Sequence, residues 1–294
     1  MISRRRFLAI AAAAAATPAC AAPVRWQGHA LGAEVSLTIH AQPDAAEGAL
    51  HDMRAMLRRV EWLFSLFDPG SRLSELNRNG RLTDPEPELL GLFEQVDRVH
   101  RATGGVFDPT IQPLWQAIRN REPLDRARTL LGWDRVDRTS RRVTLDPGQA
   151  LTLNGIAQGY ATDLAANDLR RRGFDRVLVN IGEFSGIGGP WRLGISDPTQ
   201  GLIATQTLTN RAIATSSPGA MSLGNGQGHI VGPQGQPPLW STVSVQADSA
   251  AIADAASTAF CLMPVAAIRN ALPHLPGNAN ATLVDDNGDI VTLA

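Results

Sequence analysis

The amino-acid sequence predicts an α+β fold, with short mixed or antiparallel strands packed against helices. Three observations carry this. Period-two alternation marks a strand at Glu34 to His40, and apolar residues recur at helical spacing in several longer stretches. The remaining strands are brief and bounded by glycine and proline. The sequence holds no internal repeat, and no low-complexity segment beyond its N-terminus.

The chain opens with "MISRRRFLAIAAAAAATPACAAP". Ser3, the pair Arg4 and Arg5, then Phe7, Leu8 and an alanine-rich stretch with small residues near Ala19 and Ala21 read as a twin-arginine export signal over residues 1–21. The apolar stretch from Phe7 to Ala16 is too short for a spanning helix, which needs about 20 residues. Cleavage near Ala21 leaves residues 22–294 as one domain on the periplasmic side of a bacterial membrane. Lipid attachment at Cys20 is the alternative, although Thr17-Pro18-Ala19 before it fits a lipoprotein leader poorly.

In Glu34 to His40, Val35, Leu37 and Ile39 alternate with Ser36, Thr38 and His40, a half-buried strand that turns His40 to solvent. Asp44 with Glu47 has the pattern of a capping box, and Leu50, Met53, Leu57 and Val60 continue a helix to about Phe64. A helix from Pro85 to Thr103 carries Leu89, Phe93, Val96 and Val99 on one stripe and stops at Gly104-Gly105. Leu151 to Leu153 reads as a strand feeding a helix from Ala157 to Arg172, with Tyr160, Leu164 and Leu169 inward and Gly173 as its stop. Arg170 to Arg172 sit in its last turn, where cations favour the helix dipole without any acidic partner. Val177 to Ile181 is the next strand. Gly182 to Pro198 and Ser216 to Pro238, rich in glycine and proline, read as long loops. Asp248 is placed to cap a helix from Ser249 to about Met263, and "TLVDDNGDIVTL" reads as a hairpin turning at Asn287-Gly288.

Composition narrows the partners. The 294 residues are 44% hydrophobic and 19% charged with a net charge of −1, so nothing suggests nucleic acid. Of two cysteines, Cys20 leaves with the signal, and Cys261 alone forms no intramolecular disulfide. Its apolar helical setting reads as that of a small buried hydrophobe.

Some residues point to chemistry. In "NGIAQGYATD", residues 154–163, two glycines stand where the chain enters a helix, which suits either a phosphate at the helix N-terminus or an ordinary tight connection. Asp254 and Thr258 lie four apart among alanines in "SAAIADAASTAFCLM". One carboxylate and one hydroxyl suit a hard divalent cation completed by carbonyls, water and phosphate oxygens, but the residues alone favour a buried Asp–Thr hydrogen bond in a small-residue helix. His229, in the glycine-rich "GQGHIVGPQGQP" where packing asks for no imidazole, is a candidate base or phosphate-side donor, although a loop histidine taken alone is more often merely exposed. Asp108 in "GGVFDPTIQPL" reads as a turn cap, and Phe67 in "FSLFDPGSRLSELN" as a core aromatic.

Taken in order, "LGAEVSLTIH", "FSLFDPGSRLSELN", "GGVFDPTIQPL", "LNGIAQGYATDLAANDLRRRGF", "LVNIGE", "AIATS", "HIVGP" and "ADAASTAF" resemble the ApbE-type flavin transferases, the FAD:protein FMN transferases, from about Leu31 to Leu262. The resemblance implies an enzyme that takes FAD as substrate with Mg²⁺ and moves FMN to a Ser or Thr hydroxyl of an acceptor protein, releasing AMP. The acceptor it implies carries an FMN-binding domain, as in a membrane-bound electron-transfer subunit. By position, the Gly155 carbonyl, Asp254 and Thr258, with Ser257 adjacent, would be metal ligands. Leu31, Phe67, Val106, Phe107, Asp108, Thr152, Gln158, Thr215 and Ile230 would line the FAD site, and His229 would be the base. This sequence departs from the family pattern in having Leu31 for Met, Phe67 for Tyr, Thr152 for Asp, Gln158 for Lys or Glu, and Gly182-Glu183-Phe184 for Gly-Gly-Asp. One alternative is Mg²⁺-dependent FAD hydrolysis to FMN and AMP, with water in place of the protein hydroxyl; another, which Phe67 and Gln158 permit, is flavin binding without chemistry.

Overall fold

The computed structural model describes residues 23–223, 226 and 228–294. The segment read as an export signal, Cys20 included, lies outside the described residues. An eight-stranded sheet runs Val24–Ala30, Ala33–Ile39, Val177–Ile181, Phe184–Ile187, Ala212–Ser216, Thr242–Ala247, Asn280–Val284 and Ile290–Leu293. Every neighbouring pair is antiparallel, and the spatial order of these eight strands is their chain order. The helical layer enters as insertions into this meander, chiefly between the second and third strands.

The α+β expectation therefore holds, and the ends of single elements differ from it for local reasons. The helix Pro43–Phe64 starts on Pro43, whose fixed φ suits the first helical position, and Gln42 is its N-cap without a side-chain bond. The Asp44–Glu47 capping box is therefore not made, and Asp44 instead places its charge in the first turn, where the helix dipole favours it. The next long helix spans Pro87–Ala102 and ends at Gly104 and Gly105, both at positive φ. Gly182 to Pro198 is not a loop, because it holds the strands Phe184–Ile187 and Trp191–Asp197. Its glycines turn the chain between short strands, Gly182 at φ 87° in the first of those turns. Ser249, not Asp248, caps the helix Ala250–Phe260, its hydroxyl accepting from the Ile252 amide.

Leu151 to Leu153 forms no strand. Its backbone is paired all the same: the Leu151 N–H donates to Asn77 Oδ1 at 2.7 Å, and Asn77 Nδ2 donates to the Leu151 carbonyl at 2.8 Å. The Thr152 N–H donates to the Pro109 carbonyl. One asparagine thus takes the place of a neighbouring strand. Asn77→Ala should lower stability by about 2 kcal/mol, since two backbone groups lose partners in a partly buried setting. Denaturant unfolding of the variant checks this.

The helix Ala250–Phe260 is buried on nearly every face, as expected of a helix apolar all round. It packs on the strands Ala212–Ser216 and Thr242–Ala247 and on the helices Ala157–Arg171 and Pro87–Ala102. Small side chains permit that approach. In "NGIAQGYATD", a Cβ on Gly159 would stand 2.3 Å from the Ala250 carbonyl oxygen, so only glycine lets the two helices meet there. Cys261 is fully buried just beyond, and burial pushes its thiol well above the ordinary range. No helix among the described residues is long and apolar enough to cross a membrane.

Candidate functional site

A cavity of about 870 Å³ opens where the Ala250 helix, the strand Ala212–Ser216 and the loops around Phe107 and His229 converge. Its size suits a drug-sized or cofactor-sized ligand. Asp254 and Thr258 line it from successive turns of the helix. Gly155 lines it beside them: a Cβ there would stand 3.2 Å from Thr258 Oγ1 and 3.4 Å from the Phe107 ring. Backbone, carboxylate and hydroxyl therefore meet at one wall, a set of hard oxygen donors that fits a small divalent cation. No group of three or more His, Cys, Asp or Glu side chains suited to a metal occurs among the described residues.

Ser257 lies behind that wall. It is fully buried, donates to the Asp254 carbonyl at 3.0 Å and shares a 2.8 Å hydrogen bond with Ser216 Oγ. Ser216 itself lines the cavity and comes within 3.4 Å of Thr258 Oγ1.

The start of the helix Ala157–Arg171 does not present a free set of amides. Ala157 N–H donates to the Leu153 carbonyl, Tyr160 N–H to the Ile156 carbonyl, and Gly159 N–H to Asp254 Oδ2 at 3.1 Å. A carboxylate of the protein occupies the place considered for a phosphate. Gln158 turns away from the cavity lining, its amide 3.4 Å from the Leu31 carbonyl and its side chain packed on Gly182. Leu31, at φ 52°, donates its N–H to Glu61 and likewise lies outside the lining.

Val106, Phe107, Asp108, Thr152, Thr215 and Ile230 all line the cavity. Asp108 also caps the turn Pro109–Ile111, accepting from the Thr110 amide and hydroxyl. Phe67 is not a core aromatic: it is 69% exposed at the cavity. The cause is local, because Ser65 Oγ accepts from the Phe67 and Asp68 amides and turns the chain outward directly after the first helix.

His229 lines the cavity from its loop, and its backbone is held on both sides. Its N–H donates to the Met221 carbonyl, and its carbonyl accepts from Trp115 Nε1 at 3.1 Å. Arg119, one turn beyond Trp115 on the helix Gln112–Asn120, stacks over that indole and also lines the cavity.

Glu183 and Asp197 are cavity residues that sequence reasoning missed. Each is 3% exposed. Glu183 accepts from the Thr215 amide, and nothing in "GEF" announces a carboxylate turned inward. Asp197 had a signal, the Asp-Pro turn in "ISDPTQG". It accepts from the Thr199 and Gln200 amides and the Ser241 and Thr242 hydroxyls. Burial opposes its charge, but these four donors outweigh burial and hold its carboxyl below the ordinary value of 3.8. The folded state thus binds fewer protons than the unfolded one, so the contribution is present above that value and is lost as pH falls through the lowered one. Asp197→Asn should unfold at lower temperature than the parent at neutral pH, and the gap should narrow as pH falls below 3.8. Thermal unfolding along a pH series checks it.

Asp108, Glu183, Asp197 and Asp254 outnumber the cations around the cavity, where Arg119 is the arginine of the lining. A polyanionic ligand would bind there with a cation rather than bare.

An antiparallel sheet whose buried helix brings a carboxylate and a hydroxyl to a large cavity, with an imidazole on the same lining, defines the class: an α+β protein built around a ligand-sized cavity. The family model described as the ApbE family matches residues 31–283, and the chain belongs to that family. An FAD:protein FMN transferase of Rhodobacter capsulatus is 28% identical over 265 residues, which are 80% of this chain and 50% of that one. One from Vibrio cholerae is 25% identical over 221 residues, 66% of this chain and 65% of that one. The chain thus spans about half to two thirds of the length of these relatives. The solved ApbE protein of Thermotoga maritima shares the fold with a TM-score of 0.81 at 24% identity, over 92% of this chain and 97% of that one. The flavinyl transferase ApbE of Pseudomonas stutzeri does so with a TM-score of 0.79 at 22%, over 92% and 95%.

Proposed function

We propose that this protein transfers FMN from FAD to a Ser or Thr hydroxyl of an acceptor protein, with Mg²⁺ and release of AMP. The observation that carries the reading is the meeting of Gly155, Asp254 and Thr258 at one wall of a cavity that His229 also lines. Membership of the ApbE family and the names of its relatives support it.

The Gly155 carbonyl, Asp254 and Thr258 would hold Mg²⁺, which when bound supplies charge neutralisation at the pyrophosphate. Ser257 serves from behind, tying the turn to Ser216. Phe67, Val106, Phe107 and Ile230 give the flavin and adenine apolar surface, and Thr152, Thr215 and Asp108 give it polar edges. His229 takes the proton of the acceptor hydroxyl as its oxygen attacks the FMN phosphorus. The bond from that phosphorus to the bridging oxygen breaks, and AMP leaves with the oxygen. Few other catalytic groups are needed, since phosphoryl transfer depends mainly on position and charge.

The reading places the mature chain in the periplasm, brought there by the twin-arginine route. Its acceptor is a protein with an FMN-binding domain, such as a membrane-bound electron-transfer subunit. Export should stop when Arg4 and Arg5 are both replaced by lysine, and normal export of that variant refutes the route. For the activity, the mature protein is incubated with FAD, Mg²⁺ and an FMN-binding domain, and the acceptor is weighed by mass spectrometry. Added FMN with AMP release supports transfer. Free FMN beside an unmodified acceptor overturns it in favour of hydrolysis.

A further inference from the structure

The helices Ala157–Arg171 and Ala250–Phe260 exchange carboxylates. From the second helix, Asp254 accepts the Gly159 N–H at the start of the first, at 3.1 Å. From the first, Asp163 reaches the start of the second: Oδ1 accepts the Ala250 N–H at 2.7 Å, and Oδ2 accepts the Ala251 N–H at 3.0 Å and the Ser249 hydroxyl at 2.6 Å. Gly159 and Asp163 are four residues apart, as are Ala250 and Asp254, so each pair lies on one helix face. Between the two exchanges Gly159 sits against Ala250 with no room for a Cβ.

Each N-terminus therefore has its exposed amides and partial positive charge met by the other helix. The joint sets both the separation and the rotation of the second helix. Rotation decides where Asp254 faces, because that carboxylate must reach Gly159 with one oxygen and still line the cavity. Asp163 does not line the cavity.

We propose that Asp163 is a positioning residue for the metal-holding turn, fixing the Ala250 helix so that Asp254 and Thr258 face Gly155. This rests on the metal reading given under Proposed function. Ser249→Ala is the informative comparison. It removes the N-cap hydroxyl and one contact of Asp163, yet leaves both amides on the carboxylate. Loss of capping alone should lower the unfolding temperature of either variant. Loss of positioning should appear with Asp163 only.

The test measures binding of Mn²⁺ alone to the mature protein by calorimetry, with thermal unfolding alongside, for the parent, Asp163→Ala, Asp163→Asn, Ser249→Ala and Asp254→Asn. The expected result is Mn²⁺ binding weakened by about 10- to 100-fold in Asp163→Ala, as for other groups that orient a metal ligand. Asp163→Asn, which keeps one carbonyl acceptor, should lose less, and Ser249→Ala should stay within about twofold of the parent. Should Asp163→Ala fail to fold, Asp163→Asn decides: Mn²⁺ binding weaker than that of Ser249→Ala supports the positioning role, and binding equal to it overturns the role. Parental Mn²⁺ affinity in a folded Asp163 variant, with binding lost in Asp254→Asn, overturns the positioning role and spares the metal reading. No Mn²⁺ binding by the parent, or none lost in Asp254→Asn, overturns both.

Discussion

An Asp254→Asn variant should keep its fold and lose about a thousandfold in FMN transfer, the equivalent of the several kcal/mol that a bound metal contributes to stabilising transition-state charge. The asparagine is chosen because Asp254 has two duties. Its Oδ2 accepts the Gly159 amide, and the asparagine oxygen can continue to do so while the negative charge disappears. Asp254→Ala removes both, leaving a buried N–H without its partner at about 1–3 kcal/mol. The alanine variant should therefore lose activity and melt at lower temperature, whereas the asparagine variant should lose activity with a far smaller change in melting. Transfer assays and thermal unfolding on both variants separate the duties. Parental activity of Asp254→Asn, or activity in the parent unaffected by a chelator, would refute the metal assignment.

His229→Ala should slow transfer at least about a hundredfold, the lower range for a general base, with little change in FAD affinity. The backbone of this loop residue has its own anchors: the N–H donates to the Met221 carbonyl, and the carbonyl accepts from Trp115 Nε1. Truncating the imidazole leaves those bonds in place. Single-turnover rates beside equilibrium FAD titration give the two quantities separately. A loss of affinity as large as the loss of rate would make His229 a binding residue and leave the base to be found among its neighbours.

Much of the fold was legible because amphipathic periodicity is a local property. Val35, Leu37 and Ile39 are buried on the strand Ala33–Ile39 as alternation requires, and Leu89, Phe93, Val96 and Val99 form the inner stripe of the helix Pro87–Ala102. Leu151 to Leu153 misled because an apolar run records burial, and a distant asparagine rather than a strand meets its backbone. Phe67 misled in the other direction, since an aromatic residue does not disclose that the preceding serine turns it outward.

The site divides in the same way. Spacing alone placed Asp254 and Thr258 on one helix face, because four residues make about one turn whatever surrounds them. The ordered motifs from Leu31 to Leu262 were enough to anticipate the family to which residues 31–283 belong. What only the tertiary structure decided is which groups meet across the chain. Gly155 comes against Thr258, Glu183 and Asp197 turn into the cavity, Gln158 and Leu31 turn out of its lining, and Asp163 clasps a helix start 87 residues away. Such meetings depend on how the helices and sheet pack, on a glycine thin enough for two helices to touch and on carboxylates drawn to helix N-termini, and no local pattern encodes that geometry.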